Sequence, residues 1–344
     1  MTRTDKKKDV PSPQAVLMRM AYGFWEAKAL QVVAELGIAD LLAKEPKTAE
    51  ELSNILEVDS DVLYRLLRAL AGFGIFKEIS NNRFENTSLS EVIRTNVPGS
   101  VRDYVIYLPN DGIVLAWTKL MDVVKTGKST FKDANGCEYW EYLQKHSEIG
   151  ERLNKAMAAM ASQVIPVLLE SYDFSQFKTL IDIGGGQGTV LASIMSKVSQ
   201  MRGCLYEQGS VIEGAKSFLE SRGVINRCEL IPGNFLESIP AGYDAYLIKN
   251  VLVDWDDEHV LTILKNCRAS IPKHGKLLIL ENAVLGKDNA PHPAKWIDLH
   301  MMVLFQGRQR TEQEFRNLLQ ASDFKLNKVI TPPALIAVIE AEPN

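Results

Sequence analysis

Cysteine is scarce in this chain: Cys137, Cys204, Cys228 and Cys267 are scattered through 344 residues with no Cys-x-x-Cys and no Cys/His ligand spacing. That scatter argues against a disulfide framework and a structural zinc site, and it leaves four ordinary thiols and no expected metal. Excess basic charge is also missing. The formal net charge is -4, and the Lys6-Lys7-Lys8 run is short enough to read as a solvated, disordered end, so nucleic acid is not an expected ligand. No apolar run approaches the roughly 18 residues that a membrane span needs. The polar start MTRTDKKKDVPSP has no signal-peptide core, so a cytoplasmic chain without membrane contact is expected.

What is present is an ordinary globular composition, 46% hydrophobic and 24% charged, in a chain long enough for more than one domain. From Pro13 to about Ala43 apolar residues recur at helical spacing, with Gly37 as the stop between two helices. Thr48 with Glu51 three residues on forms a capping box, and Asp59 or Ser60 opens the next helix. The chain then passes Gly72 and Gly74 into a hairpin, IFKEISNNRFENT, turning at Asn81-Asn82. Helix, helix and two-stranded wing is the pattern of a winged helix. Its second helix offers only Arg65 and Arg68 among leucines, whereas a base-reading helix needs polar side chains facing the groove. A structural or dimerisation module is therefore expected over DNA binding. Further helical regions run from about Val101 to Val123 and from about Tyr139 to Glu170.

From Phe177 the texture changes to alternating strands and helices. TLIDIGGG, RGCLYE, CELIPGNF, YDAYLIKNVL and KLLILENAV read as strands. Between them TVLASIMSKV, SVIEGAKSFLESRG and DEHVLTILKNCRASI read as helices, with TEQEFRNLLQASDF and closing strands to follow. Repeated βα units imply an α/β, doubly wound, mostly parallel sheet with ligands at the carboxyl ends of its strands.

The first strand runs into Gly184, Gly185, Gly186 and Gly188 at the start of a helix. Glycines there let a ligand approach the backbone and leave helix N–H groups available. GGGxG is neither GxGxxG nor a phosphate loop, so a pyrophosphate is not called for. The next strand ends in Glu207, about twenty residues on, where doubly wound folds hold a ribose by its hydroxyls. The third ends in Gly233-Asn234-Phe235, an amide and an aromatic able to bracket an adenine. A nucleoside without required phosphate contacts fits, and S-adenosylmethionine is such a ligand.

The order IDIGGGQGTVL, an acidic strand end, GNFLESIP, KNVLVDWDDE and GRQRTEQEF resembles the small-molecule O-methyltransferase family, which includes plant caffeate and isoflavone methyltransferases, hydroxyindole methyltransferase and bacterial tailoring enzymes. The likeness covers nearly the whole chain. It implies a winged-helix dimerisation domain over residues 1–105, a helical linker with substrate-lining helices over 106–175, and a class I, Rossmann-like methyltransferase domain over 176–344. It also implies a homodimer, S-adenosylmethionine as cofactor, and a small-molecule acceptor. Gly184, Gly185 and Gly186 would border the methionine portion, Glu207 the ribose, and Gly233, Asn234 and Phe235 the adenine, with Lys249 at the cofactor site. Glu207 and Asn234 each stand where the family more often has Asp.

The family's general base is the histidine of a His-Asp-Trp triplet, which here is Val253-Asp254-Trp255. Valine cannot accept a proton. Of the two acidic residues that orient that base, one matches Glu281 and the other is replaced by Gln309 in GRQRT. Loss of the base shifts the expected chemistry toward N- or C-methylation or an acidified hydroxyl, since much of methyl transfer is positioning in a dry site. His300, in WIDLHMMVLFQGR, falls where the family lines its acceptor pocket and is the candidate catalytic residue beside Glu281. Met157, Met160, Ala161, Val253, Ile297 and Met301 are the other candidate acceptor contacts. His146, His259, His274 and His292 read as solvated. The expected function is a methyltransferase of a small aromatic or conjugated secondary metabolite. The alternatives are C-methylation and a non-methylating reaction that retains the cofactor.

Overall fold

The computed structural model describes residues 12–286 and 289–344, so the Lys6-Lys7-Lys8 run lies outside the described residues. Two compact units emerge from the packing. One comprises the described residues up to Asp111 together with Glu148–Ala159, and the other Gly112–Ser147 together with Met160–Asn344.

In the first unit α1 (Pro13–Glu35) starts on Ser12, whose hydroxyl accepts from the Ala15 N–H, with Pro13 at the first turn where a missing amide hydrogen is harmless. The helix is apolar around its circumference, yet only Val33 and Ala34 are buried, and Leu17, Met18, Met20, Phe24 and Trp25 stand exposed. Gly37, at φ 66°, turns the chain into α2 (Ile38–Leu41). The Thr48–Glu51 capping box is formed and opens α3 (Ala49–Leu56). Asp59 caps α4 (Ser60–Ala71), whose Leu63, Leu67 and Leu70 share one face and pack with Leu52, Phe76 and Phe84.

The hairpin β2 (Phe76–Ile79) and β3 (Arg83–Asn86) turns through Asn81 and Asn82 at φ 62° and 55°, the left-handed backbone that such a turn requires. A two-residue strand that the sequence did not reveal, β1 (Lys47–Thr48), pairs antiparallel with β3. Two short helices follow, α5 (Ser88–Glu91) and α6 (Arg102–Tyr107).

The helical region expected from Val101 to Val123 is broken into α6, α7 (Asp111–Trp117) and α8 (Leu120–Thr126). Pro109 cannot continue the amide ladder of α6, which ends two residues before it. Short α9 (Phe131–Asn135) and α10 (Tyr139–Lys145) lead at His146 into α11 (Ser147–Ser171).

The second unit carries a seven-stranded sheet in the order β6-β5-β4-β7-β8-β10-β9. Its strands are β4 (Thr179–Ile183), β5 (Arg202–Glu207), β6 (Cys228–Pro232), β7 (Ala245–Lys249), β8 (Lys276–Glu281), β9 (Phe324–Ile330) and β10 (Ala337–Pro343). The first five are parallel, and β10 runs antiparallel between β8 and β9.

The connections are α12 (Thr189–Lys197), α13 (Gly209–Ser221), α14 (Asp257–Ser270), α15 (Pro293–Leu304) and α16 (Glu312–Ala321). Leu180, Leu205, Leu247 and Leu278 pack on one face with Leu191 and Leu219. Ile181, Ile183, Tyr246 and Ile248 pack on the other with Ile263 and Phe315. Each fully buried aliphatic side chain stabilises by about 1.5–3 kcal/mol, so strands covered on both faces are apolar nearly throughout. Asp182 inside β4 and Glu281 at the end of β8 break that rule, and both are buried.

Candidate active site at the carboxyl ends of the strands

The turn after β4 is shaped by close approach. A Cβ on Gly185 would lie 2.4 Å from the Asp182 carboxylate, and one on Gly184, at φ 67°, would lie 2.8 Å from Val251. Around Gly186, at φ 59°, there is open space. The Gly186 N–H donates to Glu207 Oε2 at 3.0 Å, and the Gln208 N–H donates to Oε1 at 2.7 Å, so the side chain that ends β5 is held by two backbone amides. The Gly233 N–H donates to the Glu207 carbonyl at 3.0 Å, which brings the end of β6 alongside.

Asn234 is exposed, and its side chain closes its own turn, accepting from the Leu236 N–H and donating to Glu237. The Phe235 ring lies by Gly184 and meets Trp255 edge-on, with centroids 6.2 Å apart. The glycine turn, Glu207, Gly233 and Phe235 are thus gathered at one end of the sheet.

The ends of β7 and β8 carry a different set. Lys249 Nζ makes no hydrogen bond or ion pair among the described residues, and burial lowers its pKa against the pull of Asp182 and Glu281. Both carboxylate oxygens of Glu281, Asp182 Oδ1, Asn250 Oδ1 and Gln309 Nε2 are buried without a partner. Burial pushes Glu281 up to about 8, with Asp254 adding to the rise and Arg310 and Lys249 opposing it. Burial likewise raises Asp254 to about 7 and Asp182 to about 7.

Val253 is buried in a single 3₁₀ turn, Leu252–Asp254. The loop after α15 sits directly on it: a Cβ on Gly307 would lie 2.0 Å from the Val253 carbonyl oxygen. Arg310, fully buried, fastens the same turn by donating to the carbonyls of Leu252 and Trp255 and to Asp257. Asp256 caps α14 through the His259 N–H.

On α15, Ile297, His300 and Met301 are each partly buried. His300 Nδ1 accepts from the Trp117 indole N–H at 3.0 Å, and the two rings lie edge to edge, within 19° of parallel and with centroids 6.1 Å apart. Burial lowers the His300 pKa to about 4. Asp298, the residue two before His300, accepts from the Gln309 N–H at 2.7 Å. On α11, Ala161 is buried and Met160 partly so within the second unit, whereas Met157 is exposed and belongs to the first. The other histidines are set apart. His259 pairs with Asp256, His274 lies at the surface near Asp244, and His292 caps α15.

Four participants were not singled out from the sequence. Asp182 was signalled by an acid inside the apolar run LIDI. Asn250 stands at φ 51° and donates to Asn282. Asp254 lies in the Val253-Asp254-Trp255 triplet, but its burial, like the role of Trp117, became visible only in the fold. Among the described residues no group of three or more His, Cys, Asp or Glu could hold a metal ion, and no helix is long and apolar enough to cross a membrane.

Comparison with known proteins matches residues 117–325 to the O-methyltransferase domain and residues 18–96 to the O-methyltransferase dimerisation domain. The chain is 38% identical over its whole length to the phenazine O-methyltransferase PhzM of Lysobacter antibioticus, itself covered in full. The solved structure of LaPhzM superposes with a TM-score of 0.91 over 97% of this chain and 100% of that one, again at 38% identity. The 8-amino-8-demethylriboflavin N,N-dimethyltransferase of Streptomyces davaonensis is 31% identical, covering 91% of this chain and 91% of its own. CalO1, a methyltransferase of calicheamicin biosynthesis solved with S-adenosylhomocysteine bound, is 26% identical with a TM-score of 0.85, covering 98% of this chain and 100% of that one.

Proposed function

The chain belongs to the O-methyltransferase family and uses S-adenosylmethionine, and from that premise we propose that it methylates an oxygen or nitrogen of a small, planar, conjugated secondary metabolite without a histidine base. The relatives bring both atoms into range, since one is a phenazine O-methyltransferase and another dimethylates an amino group on a riboflavin derivative. The observation that carries the reading is the pairing of an open glycine turn with buried polar atoms that lack partners, at the carboxyl ends of β4, β7 and β8.

The residues present fit the cofactor. Gly184, Gly185 and Gly186 leave backbone free of Cβ atoms, and Gly186 opens onto empty space. Glu207, oriented by two amides, offers a carboxylate to ribose hydroxyls. Gly233 and Phe235 would border the adenine, while Asn234 shapes the turn that places them. When bound, S-adenosylmethionine would supply an electrophilic methyl group to an acceptor lone pair, with S-adenosylhomocysteine as the leaving group.

The chain's own contribution is to position, to dry and to manage a proton. Val253 makes the base position apolar, so help must come from elsewhere. Glu281 is the candidate: its buried oxygens have no side-chain partner, only the weak approach of the Val253 N–H, and its pKa near 8 gives it more basicity than an ordinary carboxylate. A phenol would pass its proton to Glu281 as its oxygen forms the new bond to carbon; an amine would do so after attack. Met160, Ala161, Ile297 and Met301 would line the acceptor with apolar surface. Met157 lies in the first unit and enters this reading only by the family's likeness. The dimerisation domain supports a homodimer, and the exposed apolar side chains of α1 are the surface we assign to it.

The test is incubation with methyl-deuterated S-adenosylmethionine and a panel of hydroxylated and aminated heteroaromatics, followed by mass spectrometry. Label on an acceptor oxygen or nitrogen is expected. Tight S-adenosylhomocysteine binding with label on no acceptor would overturn the proposal.

A further inference from the structure

The Trp117–His300 contact joins residues 183 positions apart, and it fixes more than packing. An indole N–H can only donate. His300 Nδ1, as its partner, must therefore present a lone pair, which puts the imidazole proton on Nε2. A doubly protonated ring would aim a second N–H at the indole N–H, so the contact selects the neutral tautomer, consistent with the lowered pKa.

The pair is also pinned from outside. The Thr130 N–H donates to the Val303 carbonyl on α15 and its hydroxyl donates to the Ala116 carbonyl beside Trp117, while Asp298 on α15 holds the Gln309 N–H. These bonds tie down the backbone of the two segments that carry the rings. His300 is left with one free function: Nε2–H has no partner among the described residues.

We infer that His300 is a hydrogen-bond donor to the acceptor, held in that tautomer by Trp117, and that it selects acceptors carrying a second lone-pair atom, a ring nitrogen or carbonyl oxygen, apart from the atom that is methylated. This rests on the methyltransferase reading and specifies its substrate class. It gives the candidate catalytic residue His300 a role other than that of a base, because the nitrogen bearing a lone pair is already taken. An unpaired donor disfavours a flat hydrocarbon of the same shape, since the N–H would lose water and gain nothing. Trp117 is a positioning residue.

Two probes of one shape separate the cases: 1-hydroxyphenazine, which has ring nitrogens, and 1-hydroxyanthracene, which has none. With S-adenosylhomocysteine bound, the wild type is expected to prefer the phenazine by roughly tenfold, the size of one net hydrogen bond. His300→Leu should abolish the preference, and His300→Gln, which keeps an N–H near the Nε2 position, should retain most of it. Trp117→Phe should raise KM for a turned-over phenazine more than it lowers kcat. Nitrogen-15 NMR of labelled histidine reports the tautomer without any acceptor, and the Nε2–H form is expected in the wild type, with a tautomer mixture in Trp117→Phe.

A proton on Nδ1, an undiminished preference in His300→Leu, or failure of both probes to bind beside bound S-adenosylhomocysteine would each overturn the inference. Should His300→Leu not fold, the tautomer measurement and His300→Gln still decide it. Loss of S-adenosylhomocysteine binding in the wild type would instead remove the methyltransferase reading, while the tautomer result would stand on its own.

Discussion

The β5–β6 side of the sheet and the β7–β8 side end in opposite ways. On the first, polar groups are paired: Glu207 receives two amides, and Tyr206 donates its hydroxyl to the Ser238 carbonyl. On the second, Glu281 and Gln309 are buried with atoms that meet no partner. Leaving such a group unpaired costs about 1–3 kcal/mol. A side that is complete in itself presents one fixed shape and suits a ligand that never changes. A side with unmet valences suits a ligand that supplies the missing partners, and the family's acceptors vary where its cofactor does not.

Three changes test that contrast. Gly307→Ala should have the largest effect, because its Cβ would lie 2.0 Å from the Val253 carbonyl and 2.7 Å from the Asp254 carbonyl carbon, and backbone cannot step aside. Urea unfolding should show a loss of about 3 kcal/mol; a loss below about 1 kcal/mol would mean that the loop is not what frames the unpaired side.

Glu281→Gln comes next. It should lower kcat by roughly 100-fold while S-adenosylhomocysteine affinity, measured by calorimetry, stays put. The wild-type rate should rise as pH approaches about 8, where the carboxylate form appears. Stability should run the other way. A carboxyl whose folded pKa is raised holds a proton that the unfolded chain has already released, so its contribution is full below its ordinary value of 4.5 and is lost as pH climbs through about 8. Glu281→Gln should flatten that decline in thermal unfolding. An unchanged slope would place the raised titration elsewhere.

Gly186→Ala is the mildest. Its backbone at φ 59° makes a side chain strained by about 1 kcal/mol, but no neighbour lies within 4 Å. The methyl would project into the space assigned to the cofactor, so S-adenosylhomocysteine affinity should fall further than stability does.

Much of the fold was legible because local rules and tertiary needs agree. RGCLYE is β5 from end to end, the Thr48–Glu51 box opens α3, and Asn81-Asn82 makes the hairpin turn. The stretch from Val101 to Val123 misled because its apolar content is helical throughout while Pro109 divides it. In the site, the glycine turn and Glu207 announce themselves through spacing along one βα unit. The Trp117–His300 bond and the isolation of Glu281 depend on neighbours far away in the chain, and no pattern within a single segment encodes them. Valine at position 253 was conspicuous only against the family's His-Asp-Trp triplet.

The exposed stripe of α1 bears on manufacture as much as on architecture. If a second copy is what covers Leu17, Met20, Phe24 and Trp25, each newly made chain leaves the ribosome with that stripe bare, and covering it is a second-order event. Yield then depends on synthesis rate in both directions: too few chains leave protomers waiting for a mate, and too many let bare stripes meet at random.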